Sequence, residues 1–122
     1  MGPLLQVAIG GAIGAVLRYV TVLALARQFG TGFPWGTLTV NVIGCLIMGA
    51  LIGALGPRFA AAPLVLTGVL GGFTTFSAFS VDTLALVESG QAVLAAGYVT
   101  LTLVTTLAAC ALGYAVMRGV LA

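Results

Sequence analysis

The sequence contains no histidine and no lysine, and its only acidic residues are Asp82 and Glu88. Histidine is the commonest general base and metal ligand, so its absence argues against ordinary acid–base catalysis and against a histidine-bound metal. The cations are four arginines, and a net charge of +2 is too small and too scattered for a nucleic-acid-binding surface. We therefore expect neither an enzyme nor a nucleic-acid partner.

Cysteine is also scarce. Cys45 and Cys110 each stand alone in an apolar run, without a CxxC spacing. Isolated cysteines of this kind are usually small buried residues, and a disulfide or a cysteine-bound metal is the less favoured alternative. We expect both thiols to be buried in the helix packing.

Hydrophobic sequence is abundant: 61% of the residues are hydrophobic, 5% are charged, and the mean hydropathy is +1.29. This composition excludes an ordinary soluble globule. Four apolar segments are each near the ~20 residues that cross a bilayer. The sequence predicts a single-domain, all-α, multi-pass protein of the cell membrane. Its transmembrane helices should run from about Leu4 to Ala26, Trp35 to Leu55, Pro63 to Val87 and Gln91 to Met117.

Small residues recur at four-residue spacing in the first two segments. Gly10 and Gly14 form one such pair, and Gly49 and Gly53 form another. This spacing lets helix backbones approach closely in lipid, where packing drives helix association. We expect these glycines to lie at tight helix contacts.

The third segment is interrupted by the stretch from Gly71 to Ser80 (GGFTTFSAFS). Adjacent glycines weaken a helix, and four hydroxyls and three phenylalanines follow them closely. Hydrocarbon tolerates irregular backbone only where protein or a water-filled cavity covers it. We therefore predict a helix break near residues 71–75 that forms a pore or a binding element.

Polar side chains follow helical spacing in two other segments. Thr37, Asn41 and Cys45 share a stripe on the second, where the Asn41 amide either links helices or donates into a pore; the stripe favours neither role. The fourth segment carries a hydroxyl ladder at four-residue spacing. Threonines in membrane helices often bond their own backbone, so the ladder is either a set of local bonds or a track for a hydrogen-bonding ion. Its members are Tyr98, Thr102 and Thr106.

Phe76 and Phe79 lie three residues apart, so their rings share one helix face. Core packing is the usual role of such a pair, but the interleaved hydroxyl of Ser77 is unnecessary for packing. Ring edges attract anions and ring faces attract cations, and the sequence does not distinguish edge from face. Arg18, well inside the first segment, is either a functional group or extends to the nearby interface.

The arginines are almost evenly divided between the two sides of the membrane. Four spans place Arg58 and Arg118 on one side, and Arg27 with Arg18 on the other. The positive-inside rule then gives almost no orienting force. Such a chain could insert in both directions and pair as an antiparallel homodimer; a single orientation set by other factors is the alternative.

Three stretches, in this order, resemble the Fluc (CrcB) family of small microbial fluoride channels. They are Gly10 to Tyr19 (GGAIGAVLRY), Gly36 to Cys45 (GTLTVNVIGC) and the interrupted stretch Gly71 to Ser80. The resemblance extends along nearly the whole chain. It implies a passive, fluoride-selective channel that exports cytoplasmic fluoride through two pores of an antiparallel, dual-topology homodimer in the lipid bilayer.

The resemblance also implies which side chains form the fluoride path. Two phenylalanines present ring edges, an asparagine lies in the pore, a polar track follows the fourth helix, and an arginine lies near the aqueous vestibule. The matching residues are Phe76, Phe79, Asn41, Tyr98, Thr102, Thr106 and Arg18; Thr37 and Ser77, from the stripe and the interleaved hydroxyls, complete the candidate set.

A structural sodium ion, Na⁺, is a further implication of the resemblance. Its ligands are backbone carbonyls at the helix break, contributed by both subunits, and the matching positions are Gly71 and Thr74. The chain departs from the family pattern at Ala78, where threonine is frequent, and at Asp82, where glutamate is usual. Neither departure touches the matched pore positions, so we expect altered rate or packing rather than lost function.

A small proton-coupled multidrug exporter is the alternative function, because that class also has four helices and dual topology. It requires a membrane-embedded glutamate shared by substrate and protons, and the first helix has none. A non-transporting scaffold subunit would explain the small-residue spacings, but not the alignment of Asn41, Phe76, Phe79 and Tyr98.

Overall fold

The computed structural model describes residues 1–56 and 62–121. Arg58, which entered the arginine count, lies outside these residues. Within them the chain folds into α1 (Pro3–Phe29), α2 (Trp35–Leu55), a π-helical segment (Pro63–Leu70), the single turn α3 (Gly71–Phe73), α4 (Ser77–Glu88) and α5 (Ala92–Leu121).

Within residues 1–56 and 62–121, four stretches are long and apolar enough to cross a membrane. They are α1, α2, the composite third span Pro63–Glu88, and Ala92–Val120 of α5. The prediction of an all-α membrane protein with four spans and a broken third span is confirmed. The first and last helices extend a few residues beyond the predicted bounds.

Glycines terminate the first two helices. Gly30 (φ 81°) and Gly56 (φ 80°) adopt left-handed backbone that other residues rarely accept. The N–H of Gly30 donates to the Ala26 carbonyl at 2.8 Å, and that of Gly56 donates to Ile52 at 2.9 Å. Each glycine satisfies a carbonyl of the last helical turn.

The first span packs against the third through glycine. A methyl group built on Gly10 would lie 2.8 Å from the Gly68 Cα, and one on Gly14 would lie 2.8 Å from the Phe73 nitrogen. Any side chain there would push the two backbones apart. The predicted role of these small residues in tight packing is confirmed.

α2 packs mainly on α5, again through glycine. A methyl group on Gly49 would lie 3.0 Å from the Cys110 Cα, and one on Gly53 would lie 3.0 Å from the Tyr114 Cα. Both helices advance four residues between these contacts, so α2 and α5 run in the same direction. We call this contact the α2–α5 seam.

The first half of the third span is π-helical, which the hydrophobic pattern did not predict. The Ala62 carbonyl accepts from Leu66 at 3.2 Å and from Thr67 at 3.4 Å, and the Gly71 N–H donates to both Leu66 and Gly68. Donation across five residues widens the helix. Hydrophobic periodicity carries no signal for this geometry, because the segment is apolar on every face.

Candidate functional site

The third span breaks between α3 and α4. Thr74 leaves the helix with an extended backbone (φ −85°, ψ 157°), and the helix resumes at Ser77. Asn41 of α2 closes the gap from the side. Its Oδ1 accepts the Thr75 N–H at 2.8 Å, and its Nδ2 donates to the Thr75 carbonyl at 2.9 Å. One amide thus replaces two backbone bonds that a continuous helix would make internally.

The sequence left open whether the Asn41 amide links two helices or donates into a pore, and the structure is consistent with both roles. The side chain links α2 to the third span, and it also lines the cavity described below. A side-chain amide has two N–H donors, and Thr75 uses one of them. The second remains available for a ligand.

Arg18 of α1 also supports the break. Its Nε donates to the Gly72 carbonyl at 3.1 Å, and the side chain is half-buried. A bond from a charged donor is worth about 1.5–3 kcal/mol. Arg18 therefore stabilises the broken backbone through one of its guanidinium N–H groups.

Two other carbonyls at the break have lost their helical donors. The Thr75 N–H, which would bond Gly71 in a continuous helix, donates to Asn41; the Ala78 N–H, which would bond Thr74, donates to the Thr75 hydroxyl at 3.1 Å. Within the described residues, no N–H donates to the carbonyl of Gly71 or of Thr74. Free backbone oxygens of this kind suit a hard cation.

A cavity of about 380 Å³ lies beside the break. It is bounded by α2, by the broken span and by α5. Its walls combine amide, hydroxyl, thiol, aromatic and aliphatic groups. The lining residues are Asn41, Cys45, Gly71, Thr74, Thr75, Phe76, Phe79, Thr102, Leu103 and Thr106.

The two phenylalanines at the cavity differ in exposure. Phe76 is 74% exposed and Phe79 is 7% exposed. Their ring centroids are 5.4 Å apart with planes at 65°, close to an edge-to-face contact. Phe79 also packs on Tyr98, with centroids 5.2 Å apart. In an edge-to-face pair one ring directs its positive edge at its neighbour.

The hydroxyl ladder on α5 is not uniform. The Thr106 hydroxyl donates to the Thr102 carbonyl at 2.6 Å, so its proton is used within the helix. The Thr102 hydroxyl has no partner among the described residues, although the side chain is only 5% exposed. A buried hydroxyl without a partner costs about 1–3 kcal/mol. Thr102 is therefore the free donor of the ladder.

Tyr98, at the start of the ladder, is fully buried beside Thr37. Its hydroxyl donates to Asp82 Oδ2 at 3.4 Å. The expectation that the Asp82 departure stays clear of the matched pore positions is therefore wrong. The two residues lie 16 positions apart, and the antiparallel packing of α4 on α5 brings them together.

The cavity brings together seven of the predicted site residues and leaves four outside its lining. Arg18 and Ser77 bond within the break instead, Ser77 through a 3.3 Å contact between its hydroxyl and that of Thr75. Thr37 and Tyr98 are buried beyond Phe79. The cavity contains Asn41, Phe76, Phe79, Thr102, Thr106, Gly71 and Thr74. The roles of these residues in conduction and sodium binding stay predictions.

Two residues of the site were missed as candidates. Thr75 is the backbone partner of Asn41, and its hydroxyl accepts the Ala78 N–H. Cys45 lines the cavity, and both cysteines are free but only half-buried, so they are less buried than the sequence predicted. The sequence did contain a signal for Cys45: it shares a helical stripe with Thr37 and Asn41.

Comparison with known proteins identifies the family. Residues 5–114 match the family model described as CrcB-like protein, Camphor Resistance (CrcB). The chain is 53% identical over 119 residues to the fluoride-specific ion channel FluC of Cereibacter sphaeroides, covering 95% of this chain and 94% of that protein. It is 52% identical to the FluC of Paracoccus denitrificans (97% and 96% covered) and 48% identical to that of Rhizobium etli (92% and 93% covered). With these matches along nearly its whole length, the chain belongs to the CrcB family of multi-pass membrane proteins.

Proposed function

We propose that this protein is a passive, fluoride-selective channel that exports cytoplasmic fluoride. The observation that carries the proposal is the cavity at the helix break, which combines free hydrogen-bond donors with aromatic rings and, among the residues that the structure describes, has no charged residue in its lining. The fluoride-channel names of relatives at 53% and 52% identity support the same function. A passive channel needs no nucleophile or general base, in keeping with a non-enzymatic role.

Fluoride matches the chemistry of this cavity. It is small, strongly hydrated and an avid hydrogen-bond acceptor, so a path must replace its water with donors and still release it. The Thr102 hydroxyl and the second Asn41 N–H supply donors, and the phenylalanine edges supply weak positive potential. A fixed cation in the lining would hold the anion too tightly for conduction.

The exposure of Phe76 supports an assembly of two copies. The residue is 74% exposed, although it belongs to the aromatic pair at the cavity. In an antiparallel homodimer, a second copy would cover this ring and complete the cavity wall, giving two fluoride paths. The balanced arginine count permits both orientations.

The unpaired carbonyls of Gly71 and Thr74 support a structural sodium ion between the two copies. The site fits the ion: its available atoms are backbone oxygens freed by Asn41 and by the Thr75 hydroxyl. Four such oxygens, two from each copy, would hold a hard monovalent cation and stabilise the break. Replacing sodium by a bulky organic cation during purification should weaken dimer function, as measured by fluoride flux and by dimer content on a sizing column. Equal flux and dimer content without sodium would refute the site.

Fluoride efflux from liposomes tests the channel function directly. A fluoride electrode should record fast release from liposomes that contain the purified protein, with little chloride release in a matched preparation. Phe76→Ile and Phe79→Ile should each abolish fluoride efflux while leaving the dimer intact, because isoleucine keeps the bulk and loses the ring edge. Wild-type efflux in both variants would exclude the aromatic path.

The proton-coupled exporter is not favoured. That mechanism needs an embedded carboxylate free to exchange protons and substrate, whereas the Asp82 carboxylate accepts from buried Tyr98. Glu88 ends α4 and is exposed.

A further inference from the structure

A second cavity, of about 310 Å³, lies at one end of the helices. It is formed where α1 and α4 end and where α2 and α5 begin, so it lies at the membrane surface on that side. The connection between α1 and α2 and the last turns of α4 both contribute to its lining, which includes Thr31, Gly32, Pro34, Asp82 and Ala85. The proposed function does not use this cavity.

α5 relates the depths of the two cavities. The helix begins at Ala92, and Gln91, the residue before it, lines the second cavity. Because an α-helix rises about 1.5 Å per residue, Tyr98 lies about 9 Å and Thr106 about 21 Å from this start. Thr102 and Thr106 line the cavity at the break. Tyr98 therefore lies between the two cavities, and an ion that leaves the break at this end of the helices must pass its level.

Tyr98 contacts the lining of both cavities. Its ring packs on Phe79 of the first cavity, with centroids 5.2 Å apart. Its hydroxyl donates to Oδ2 of Asp82, which lines the second cavity. The two oxygen atoms are 3.4 Å apart, whereas an O–H···O bond is usually about 2.7–2.8 Å long. Because the carboxylate holds this hydroxyl only weakly, the hydroxyl can donate to an anion instead.

Phe33 separates the second cavity from Tyr98. Its neighbours Gly32 and Pro34 line that cavity, whereas Phe33 is half-buried and packs on the hydrophobic cluster that contains Phe79 and Tyr98. The ring centroids of Phe33 and Tyr98 are 5.4 Å apart, and their planes meet at 86°. A ring in this position narrows the passage from the cavity to the tyrosine hydroxyl.

We propose that the second cavity is a mouth of the fluoride path, and that Phe33 is a specificity-determining residue whose ring restricts the passage between this mouth and Tyr98. The inference rests on the proposed fluoride function and adds to it one end of the path. Chloride is larger than fluoride, so a passage narrowed by an aromatic ring excludes chloride more strongly. Fluoride at Tyr98 accepts the hydrogen bond that Asp82 holds weakly, and no proton is transferred.

Chloride efflux from liposomes tests the role of Phe33. Phe33→Ala should raise chloride efflux at least several-fold above that of the wild type, because loss of the ring widens the passage. Phe33→Leu keeps most of the bulk and should stay close to the wild type. Val93→Ala, at a residue 88% exposed in the first turn of α5, is the control and should also stay close. Wild-type chloride efflux in Phe33→Ala would overturn the role of this ring.

Filling the second cavity tests whether it is a mouth of the path. Ala85→Trp and Thr31→Trp place an indole at two separate points of the lining, one on α4 and one in the connection between α1 and α2. A fall in fluoride efflux towards the rate of protein-free liposomes is expected in both. Val93→Trp, outside the lining, should conduct like the wild type. All variants are compared at equal amounts of folded protein from a sizing column, and wild-type efflux in both filled variants would overturn the mouth.

The wild type separates a failure of this inference from a failure of the proposed function. If wild-type liposomes release no fluoride, the channel and its mouth are overturned together. If they release fluoride, and the two filled variants and Phe33→Ala behave as the wild type does, only the mouth and its narrowing ring are overturned.

Discussion

The α2–α5 seam and the break of the third span are two close helix contacts built in opposite ways. At the seam both helices are continuous, each backbone makes its own bonds, and Gly49 and Gly53 let the chains approach. At the break the backbone gives up its internal bonds, and Asn41 and Arg18 supply replacements from neighbouring helices.

The difference shows where polar backbone becomes available inside the membrane. Close packing at the seam leaves no free backbone group for a ligand, because the helical bonds use them all. The break leaves the carbonyls of Gly71 and Thr74 without helical donors, and it places Asn41, with its second N–H, in the lining of the cavity. Side chains of α1 and α2 keep this irregular backbone from collapsing into an ordinary helix.

The largest expected effect is at the seam. Gly49→Ala places a methyl group 3.0 Å from the Cys110 Cα and closer still to its carbonyl group, so the helices must separate. Overpacking of this kind costs about 1–3 kcal/mol. Thermal unfolding in detergent, followed by the fluorescence of the single Trp35, should show a clear loss of stability. Gly119→Ala is the control and should unfold like the wild type, because a methyl group there would meet no atom of the described residues within 4 Å beyond its chain neighbours and its own helix backbone. Equal stability of the two variants would mean that the seam is not tightly packed.

The second largest expected loss of stability is at the break of the third span. Asn41→Ala removes both bonds to Thr75 and leaves its N–H and carbonyl unpaired. We expect a loss of about 2 kcal/mol, since each lost bond is worth about 1 kcal/mol. Fluoride efflux should fall more strongly than stability, because the geometry of the cavity depends on the same bonds. Thr100→Ala, whose hydroxyl bonds only the Ala96 carbonyl of its own helix, should leave both measurements near the wild type. A conducting, fully stable Asn41→Ala would show that the break supports itself.

The smallest expected effects on stability are at two neighbouring hydroxyls of α5, those of Thr102 and Thr106. Thr102→Val removes a buried hydroxyl that has no partner in the described part of the chain, so stability should be unchanged or rise by about 1 kcal/mol while fluoride efflux falls. Thr106→Val removes a hydroxyl bonded to the Thr102 carbonyl, so stability should fall slightly and efflux should change less. Efflux and unfolding are measured on the same preparations. The opposite order of the two efflux rates would assign the free donor to Thr106.

The architecture was predictable because its signals are local. Apolar segments of membrane-spanning length predict four helices, and adjacent glycines followed by hydroxyls predict the break at residues 71–75. Glycine spacing also predicted close packing at Gly10, Gly14, Gly49 and Gly53. Each of these features depends on residues within a turn or two of one another.

The polar pairings were not predictable, because they join distant positions. Arg18 bonds a carbonyl 54 residues away, and Asn41 bonds a residue 34 positions away. An amide in a membrane helix must find a partner, but the sequence does not say which backbone group is left open. The contact of Asp82 with Tyr98 has the same origin. Cys45 was interpreted as packing because an isolated cysteine usually is buried, whereas here its helix face borders a cavity.

The order of the partners along the chain has a consequence for how the protein is made. Arg18 and Asn41 both precede the break in the sequence, and chains are synthesised from the N-terminus. When the ribosome delivers the third span to the bilayer, the donors for its open carbonyls are already within the membrane. Alone, this span would expose unsatisfied backbone to lipid, which costs several kcal/mol for each group. Stable insertion of the third span should therefore depend on the first two having entered before it.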